Sequence, residues 1–93
     1  MGIKREEKKK KGEFMFEESG KKVAELAYCK SAPGEITIYH TEVAEKLRGK
    51  DIGKKLVEAA VKYARDNDLK IVAQCPFAAK VIARTPKFQD VLA

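Results

Sequence analysis

The segment 47–54, which reads LRGKDIGK, combines two glycines with several cations. It follows a predicted strand and opens a predicted helix, so backbone N–H groups and the positive end of the helix dipole face an incoming anion. Arg48, Lys50, Lys54 and Lys55 add positive charge, and glycine lets a phosphate approach the backbone closely. The spacing is neither that of a Walker loop nor that of a dinucleotide fingerprint. A pyrophosphate is a suitable ligand; the alternative is a plain turn with solvated lysines.

Three side chains could act in covalent or proton-transfer chemistry. Cys75 follows a predicted strand and precedes Pro76, which suits the first position of a helix. A thiol at a helix N-terminus has a lowered pKa and more thiolate character. The alternative for Cys75 is a small buried hydrophobic residue. His40 and Glu42 lie on one predicted strand, where each could act as a base; the alternatives are a packing residue and a solvated charge.

The elements that must position these residues follow from the apolar spacing. An antiparallel meander comes first, and then the period changes to three and four residues, which predicts a helix. A βαβ unit follows, in which strands 35–43 and 70–74 form the one parallel pair. The predicted fold is a single α/β (α+β) domain with a mainly antiparallel sheet of about four strands and two helices. The predicted order is β-β-β-α-β-α, with strands over 13–18, 23–29, 35–43 and 70–74 and helices over 52–67 and from Pro76 to Pro86.

The composition limits the possible classes of protein. A length of 93 residues predicts one domain. Most of the net charge of +6 lies in residues 1–12, which contain six basic and two acidic residues. We interpret 1–12 as a charged, solvated N-terminal tail and 13–93 as the domain; nucleic-acid binding is not favoured, because no aromatic residue is interleaved for stacking.

The expected location follows from the hydropathy and the cysteines. No run reaches the roughly 20 apolar residues of a membrane span, so no membrane partner is expected. Two cysteines, Cys29 and Cys75, without an export signal predict free thiols in a reducing cytoplasm. The sequence leaves the oligomeric state open.

Several motifs resemble those of one family. The segment from Arg48 to Gly53 resembles the acyl-CoA pyrophosphate loop of the GCN5-related N-acetyltransferases (GNAT), Q/R-x-x-G-x-G/A. The surroundings resemble its very small, YjdJ-like single-domain members, which run strand, HTEV, RGxGIG, helix, strand, CPF, helix. This chain has HTEV at 40–43, RGKDIG at 48–53 and CPF at 75–77. The resemblance extends from about residue 13 to the C-terminus.

The resemblance implies a GNAT-like fold and transfer of an acetyl group from acetyl-CoA to an unidentified amine, with no metal. It implies that the backbone of 41–43 holds the pantetheine arm and that the loop holds the pyrophosphate. It implies that the parallel strands 35–43 and 70–74 are splayed to admit this arm. It places Cys75 near the acetyl group as a candidate acyl acceptor, with His40 as a candidate base or orienting group for Cys75 and Glu42 as a candidate base. The implied cofactor-binding residues are Thr41, Glu42, Val43, Arg48, Gly49, Lys50, Asp51, Ile52, Gly53 and Lys54.

Two departures from the family pattern leave a rival hypothesis. Asp51 replaces the middle glycine of the loop, and Ala73 stands where a proline commonly precedes the cysteine. The Asp51 carboxylate would repel a pyrophosphate, although aspartate is also a favoured helix N-cap. The small size and Asp51 together permit a CoA-binding or protein-interaction module without turnover.

Overall fold

A computed structural model describes residues 3–47 and 49–93. The chain forms a five-stranded sheet in the order β1-β2-β3-β4-β5. The first four strands are antiparallel, and β4 and β5 are parallel. The α+β domain and the parallel pair are thus confirmed. The elements are β1 (Ile3–Lys8), β2 (Lys11–Glu18), β3 (Lys21–Ala32), β4 (Glu35–Val43), α1 (Ile52–Asp66), β5 (Lys70–Ala73) and α2 (Pro76–Ala83), with 3₁₀ turns at Glu45–Leu47 and Pro86–Val91.

The hydrophobic core lies between one face of the sheet and the two helices. Every second side chain faces the helices along β3 from Ala24 to Tyr28 and along β4 as far as Ile38. Helix α1 carries its apolar residues at three- and four-residue spacing and turns that stripe toward the sheet. No helix in the described part of the chain is long and apolar enough to cross a membrane. The fully buried side chains include Leu26, Tyr28, Ile36, Ile38, Leu56, Val57, Val61, Ile71 and Ile82.

The N-terminal segment is a strand, and the expectations of a solvated tail and of four strands were wrong. Strand β1 pairs with β2 from Ile3 opposite Phe16 to Lys8 opposite Lys11. The residues of β1 after Ile3 are all charged, so the strand lacks apolar alternation, and such a charged composition is typical of a protected edge strand. Cross-strand ion pairs use these charges: Lys4 Nζ lies 2.9 Å from Glu17 Oε1.

A network of hydrogen bonds and ion pairs connects β1 to β3 and α1. The buried Tyr28 hydroxyl donates to Glu7 Oε1 at 2.9 Å and accepts from Arg5 at 3.0 Å. Glu7 also accepts from the Tyr63 hydroxyl and pairs with Lys30 Nζ at 2.7 Å. The Arg5 guanidinium stacks 4.3 Å above the Tyr63 ring centroid. An otherwise charged strand is therefore anchored through partners on β3 and α1.

We expect Glu7→Gln to destabilise the protein at neutral pH but not in strong acid. Hydrogen bonding to Lys30, and also to the tyrosine hydroxyls, lowers the pKa of Glu7 to about 2 from an ordinary 4.5. A depressed carboxyl pKa contributes stability above the unfolded pKa, and this stability is lost as the pH falls toward 2. Urea denaturation of both proteins at several pH values measures the difference, which should vanish near pH 2. Glu6→Gln on the same strand is the control, and an equal, pH-independent loss in both variants would contradict the network.

Candidate functional site

The two parallel strands separate partway along their length. Pairing runs from Glu35 opposite Lys70 to Ile38 opposite Ala73, after which β5 ends and β4 continues to Val43. The Ile38 carbonyl accepts from the amides of both Gln74 and Cys75, each at 3.0 Å. The polypeptide therefore turns away from β4 immediately after this pair. The separation leaves the last residues of β4 without a neighbour on that side.

A cleft of about 620 Å³ lies at this separation. It is bounded by the end of β4, the loop before α1, the first turn of α1 and one side of α2. The structure brings together the predicted segment 41–43 with Gly49 and 51–54; Lys50 is exposed and does not line the cleft. Arg48 lies outside the described residues. The lining residues are Thr41, Glu42, Val43, Leu47, Gly49, Asp51, Ile52, Gly53, Lys54, Phe77, Val81, Arg84 and Thr85.

Sequence reasoning missed the α2 side of the cleft. Phe77, Val81 and Arg84 recur at four- and three-residue spacing and so share one side of the helix. Phe77 is 42% exposed although it is a large apolar residue, because it faces the cleft rather than the core. The spacing of these three residues is visible in the sequence, but the sequence does not show which side of α2 faces β4.

The first turn of α1 presents backbone donors to the cleft. The first intrahelical bond runs from the Lys55 amide to the Asp51 carbonyl at 3.0 Å. The amides of 52–54 precede it and have no acceptor within the helix. The macrodipole makes this end of the helix positive. This arrangement can bind an anionic group such as a phosphate.

Asp51 does not cap the helix. Its backbone lies in the left-handed region, with φ 58° and ψ 20°, and its side chain makes no capping hydrogen bond. An N-cap residue adopts an extended conformation instead, so the capping interpretation was wrong. A left-handed conformation is strained for an aspartate and costs glycine nothing. The position is therefore one that the backbone itself favours for glycine, and here it carries a carboxylate at the cleft.

Gly53 has a different role in the loop. A Cβ built on Gly53 would lie 2.6 Å from the Phe77 ring, closer than side chains approach in folded proteins. The missing side chain therefore lets Phe77 of α2 pack against the first turn of α1. A side chain at position 53 would therefore require the Phe77 ring to move within the cleft.

Cys75 lies beneath the cleft, next to Thr41. The thiol is 7% exposed and does not line the cleft, whereas Thr41 does. Cys75 Sγ donates to Thr41 Oγ1 at 3.4 Å. Burial raises the pKa of Cys75, but hydrogen bonding to Thr41 and to the amides of Ala78 and Phe77 outweighs burial and lowers the pKa below its ordinary value. This direction is the one expected for the pKa of a thiol at a helix start, and both cysteines are free.

His40 and Glu42 belong to the other face of the sheet. The β3–β4 register shifts between Ala27 and Tyr28, so that Ala27 pairs with His40 and Leu26 with Thr41. Because paired residues share a face, Thr41 joins the helix face with Leu26, and His40 points to the open face. His40 Nε2 lies 3.8 Å from both Glu25 Oε2 and Glu42 Oε1. Thr41, not His40, is therefore the partner of Cys75, and the basic roles of His40 and Glu42 stay predictions.

Glu25, His40 and Glu42 form a cluster on the open face of the sheet, and a lysine balances part of its negative charge. Glu25 Oε1 also pairs with Lys22 Nζ at 3.0 Å. One histidine and two carboxylates can offer ligand atoms within 4.8 Å of one another, but all three are at least partly exposed. The absence of a metal role for them stays a prediction.

A separated parallel strand pair beside an uncapped helix N-terminus defines a small α+β domain that can bind an extended ligand with an anionic end. Residues 13–91 match the model of the GCN5-related N-acetyltransferases, and the chain belongs to this family. Acetyl transfer is the chemistry of that family.

Comparisons with individual proteins agree with this assignment. A GCN5-like protein from Staphylococcus aureus, assigned to the N-acetyltransferases, is 38% identical; the match covers 99% of this chain and 87% of that one, with a TM-score of 0.75. Protein NATD1 of Danio rerio is 32% identical over 76 residues, which are 82% of this chain but only 58% of the relative. The ribosomal-protein-S18-alanine N-acetyltransferase of Escherichia coli shares the fold, with a TM-score of 0.69 at 13% identity over 83% of this chain and 52% of that one. The finer, YjdJ-like assignment stays a prediction.

Proposed function

We propose that this protein transfers an acetyl group from acetyl-CoA to an amine. The observation that carries the proposal is the coincidence of two features in one cleft: the separated strands β4 and β5, and the free amides at the start of α1. The first feature suits an extended arm that pairs with backbone, and the second suits a pyrophosphate. Membership of the acetyltransferase family supports this combination.

The chain's own residues fit CoA as a substrate. The amides of 52–54 would bind the pyrophosphate, with Lys54 adding charge. The unpaired backbone of 41–43 would hydrogen-bond the pantetheine arm, as a neighbouring strand would. Phe77 and Val81 supply an apolar wall on the opposite side. Asp51 is the one unfavourable group, because its carboxylate lies beside the proposed phosphate position.

Cys75 is the proposed acyl acceptor. Its thiolate would attack the thioester carbonyl, forming a new carbon–sulfur bond while the bond to CoA breaks and the CoA thiolate leaves with a proton from water. The amine would then attack the Cys75 thioester, displacing the Cys75 thiolate and losing its own proton to a base. His40 and Glu42 are the candidate bases, and because their side chains lie on the open face of the sheet, either would accept the proton through water. The hydrogen bonds that favour the thiolate of Cys75 support its nucleophilic role.

The experiment is a calorimetric titration with CoA and with pantetheine, which lacks the pyrophosphate. We expect CoA to bind at least about tenfold more tightly, equivalent to about 1.4 kcal/mol. Equal affinity, or no binding of CoA at millimolar concentration, would contradict the placement of the pyrophosphate. Incubation with acetyl-CoA then tests turnover. Mass spectrometry should find an acetyl group on Cys75 and none on Cys29, and Cys75→Ser is the control.

The rival function is a CoA-binding module without turnover. The specific observation in its favour is Asp51, whose carboxylate lines the cleft. The same experiment separates the two functions: binding of CoA without acetylated Cys75 and without thiol release in the presence of amines would support the rival. The two free thiols are consistent with action in the reducing cytoplasm, which we also propose.

A further inference from the structure

We propose that the Thr41 side chain is a positioning residue, which holds the Cys75 sulfur beneath the cleft and stabilises its thiolate. This inference deepens the proposed function, because it assigns a hydroxyl to the activation of the proposed acyl acceptor. The proposed contacts with CoA do not use this side chain, because the pyrophosphate loop excludes position 41 and the contacts of 41–43 with the pantetheine arm are made by the backbone.

The first argument is the register of β4. The shift opposite Ala27 and Tyr28 leaves Tyr39 as an extra residue, so the alternation of faces changes after Ile38. Without that shift, Thr41 would point to the open face and His40 would point toward the helices. The bulge therefore delivers the Thr41 hydroxyl to the thiol.

The second argument is the geometry of the pair. Thr41 Oγ1 accepts from Cys75 Sγ at 3.4 Å, and Thr41 borders the cleft while Cys75 lies behind it. A hydroxyl can both accept and donate. It accepts from the neutral thiol, and after deprotonation it can rotate to donate its own proton to the sulfur. Thr41 thus lies between the cleft and the sulfur, and its hydroxyl can hydrogen-bond to the sulfur in both the neutral and the ionised state.

The third argument is what else surrounds the sulfur. On β4, His40 and Glu42 belong to the open face. On α1, Lys54 and Lys55 are exposed, and Lys80 of α2 is exposed as well. The main influences on the thiol are burial, Thr41 and the amides at the start of α2. Because burial opposes ionisation, the Thr41 hydroxyl is the side chain that offsets it.

The test is the pH profile of Cys75 alkylation by iodoacetamide, read peptide by peptide by mass spectrometry. Thr41→Val keeps the shape of the side chain and removes the hydroxyl. In Thr41→Val we expect the midpoint of the Cys75 alkylation profile to rise by about one pH unit and the rate of Cys75 alkylation at pH 7 to fall by about tenfold. Thr41→Ser, which restores the hydroxyl, should keep the wild-type midpoint.

Two controls separate positioning from a general change in structure. Thr37→Val makes the same substitution on the same strand, but the Thr37 hydroxyl donates to Ser31 at 2.8 Å and does not meet Cys75. It should leave the midpoint of Cys75 unchanged. Cys29, on β3, is an internal reference in the wild type and in the two Thr41 variants, where its rate should be the same. In Thr37→Val only the Cys75 midpoint is compared, because Thr37 lies directly opposite Cys29.

An unchanged midpoint in Thr41→Val, or equal slowing of Cys29 and Cys75, would overturn the proposal. The alkylation readout does not depend on acetyl transfer, so its failure differs from failure of the proposed function. If the protein acetylates an amine through Cys75, the pH profile of kcat should move upward with Thr41→Val by the same amount as the alkylation midpoint. A kcat profile that stays in place while the alkylation midpoint moves would leave Thr41 positioning the thiol and would contradict Cys75 as the acyl acceptor.

Discussion

A chain that begins at Lys9 is expected to lose about 3–5 kcal/mol of stability, a large part of the roughly 5–15 kcal/mol that a small domain has. Truncation removes the whole ladder between β1 and β2. It also removes Arg5 and Glu7, which leaves the buried Tyr28 hydroxyl without its two side-chain partners. A hydrogen bond of this kind contributes about 0.5–1.5 kcal/mol, and about 1.5–3 kcal/mol where one partner is charged. Urea denaturation followed by circular dichroism measures the loss.

A second substitution makes this prediction specific to the network. Tyr28→Phe should destabilise the full chain, because Glu7 loses a donor. In the truncated chain the same change should be neutral or stabilising, because it removes an unpaired hydroxyl. The readout is the coupling free energy, which is the difference between the effect of Tyr28→Phe in the full chain and its effect in the truncated chain. If truncation costs less than about 1 kcal/mol, or if Tyr28→Phe costs the same in both chains, then β1 is not an integral strand.

Replacing Asp51 with glycine is expected to tighten CoA binding by about tenfold, or about 1.4 kcal/mol. The carboxylate lines the cleft beside the amides of 52–54, where a pyrophosphate is proposed to bind. Removing it ends a like-charge repulsion within a Debye length. Glycine also adopts the φ of 58° without strain, which should stabilise the unliganded protein by about 1 kcal/mol. Greater flexibility of the free loop opposes the gain in part.

Salt and a charge-only variant separate these effects. Asp51→Asn keeps a side chain that tolerates the left-handed conformation and removes the charge, so it should recover most of the gain in affinity. The gain in both variants should shrink at high ionic strength. Calorimetric titration at low and high salt provides the comparison, and chemical denaturation gives the stability change. If Asp51→Gly binds CoA no better than the parent, the pyrophosphate does not lie against residues 51–53.

Much of the fold and part of the site could be predicted from the sequence. The best strand was predicted at 35–43, the bounds it has in the structure. The main helix was predicted over 52–67 and ends at Asp66. These elements have strong local signals, namely β-branched residues in one and an apolar stripe of helical period in the other. The helix start after the loop, with its amides at 52–54 unpaired within the helix, also followed from local residue types, because it depends only on its own segment.

Other features depended on contacts between distant segments. Strand β1 has no apolar alternation, and its stability comes from pairing with β2 and from partners on β3 and α1, which no local pattern reveals. The same holds for α2, whose Phe77 and Arg84 line the cleft because of how α2 packs beside β4 and the first turn of α1.

The face of each β4 residue was decided by tertiary structure alone. Alternation predicts which residues share a face only while the register is unbroken, and one bulge residue at Tyr39 reverses it. The sequence by itself therefore predicted two neighbouring parallel strands, 35–43 and 70–74, with His40 and Thr41 on the first and Cys75 directly after the second. Only the β3–β4 pairing decided that Thr41 meets the thiol and His40 meets Glu25, because a bulge is set by the partner strand and leaves no mark in the local pattern.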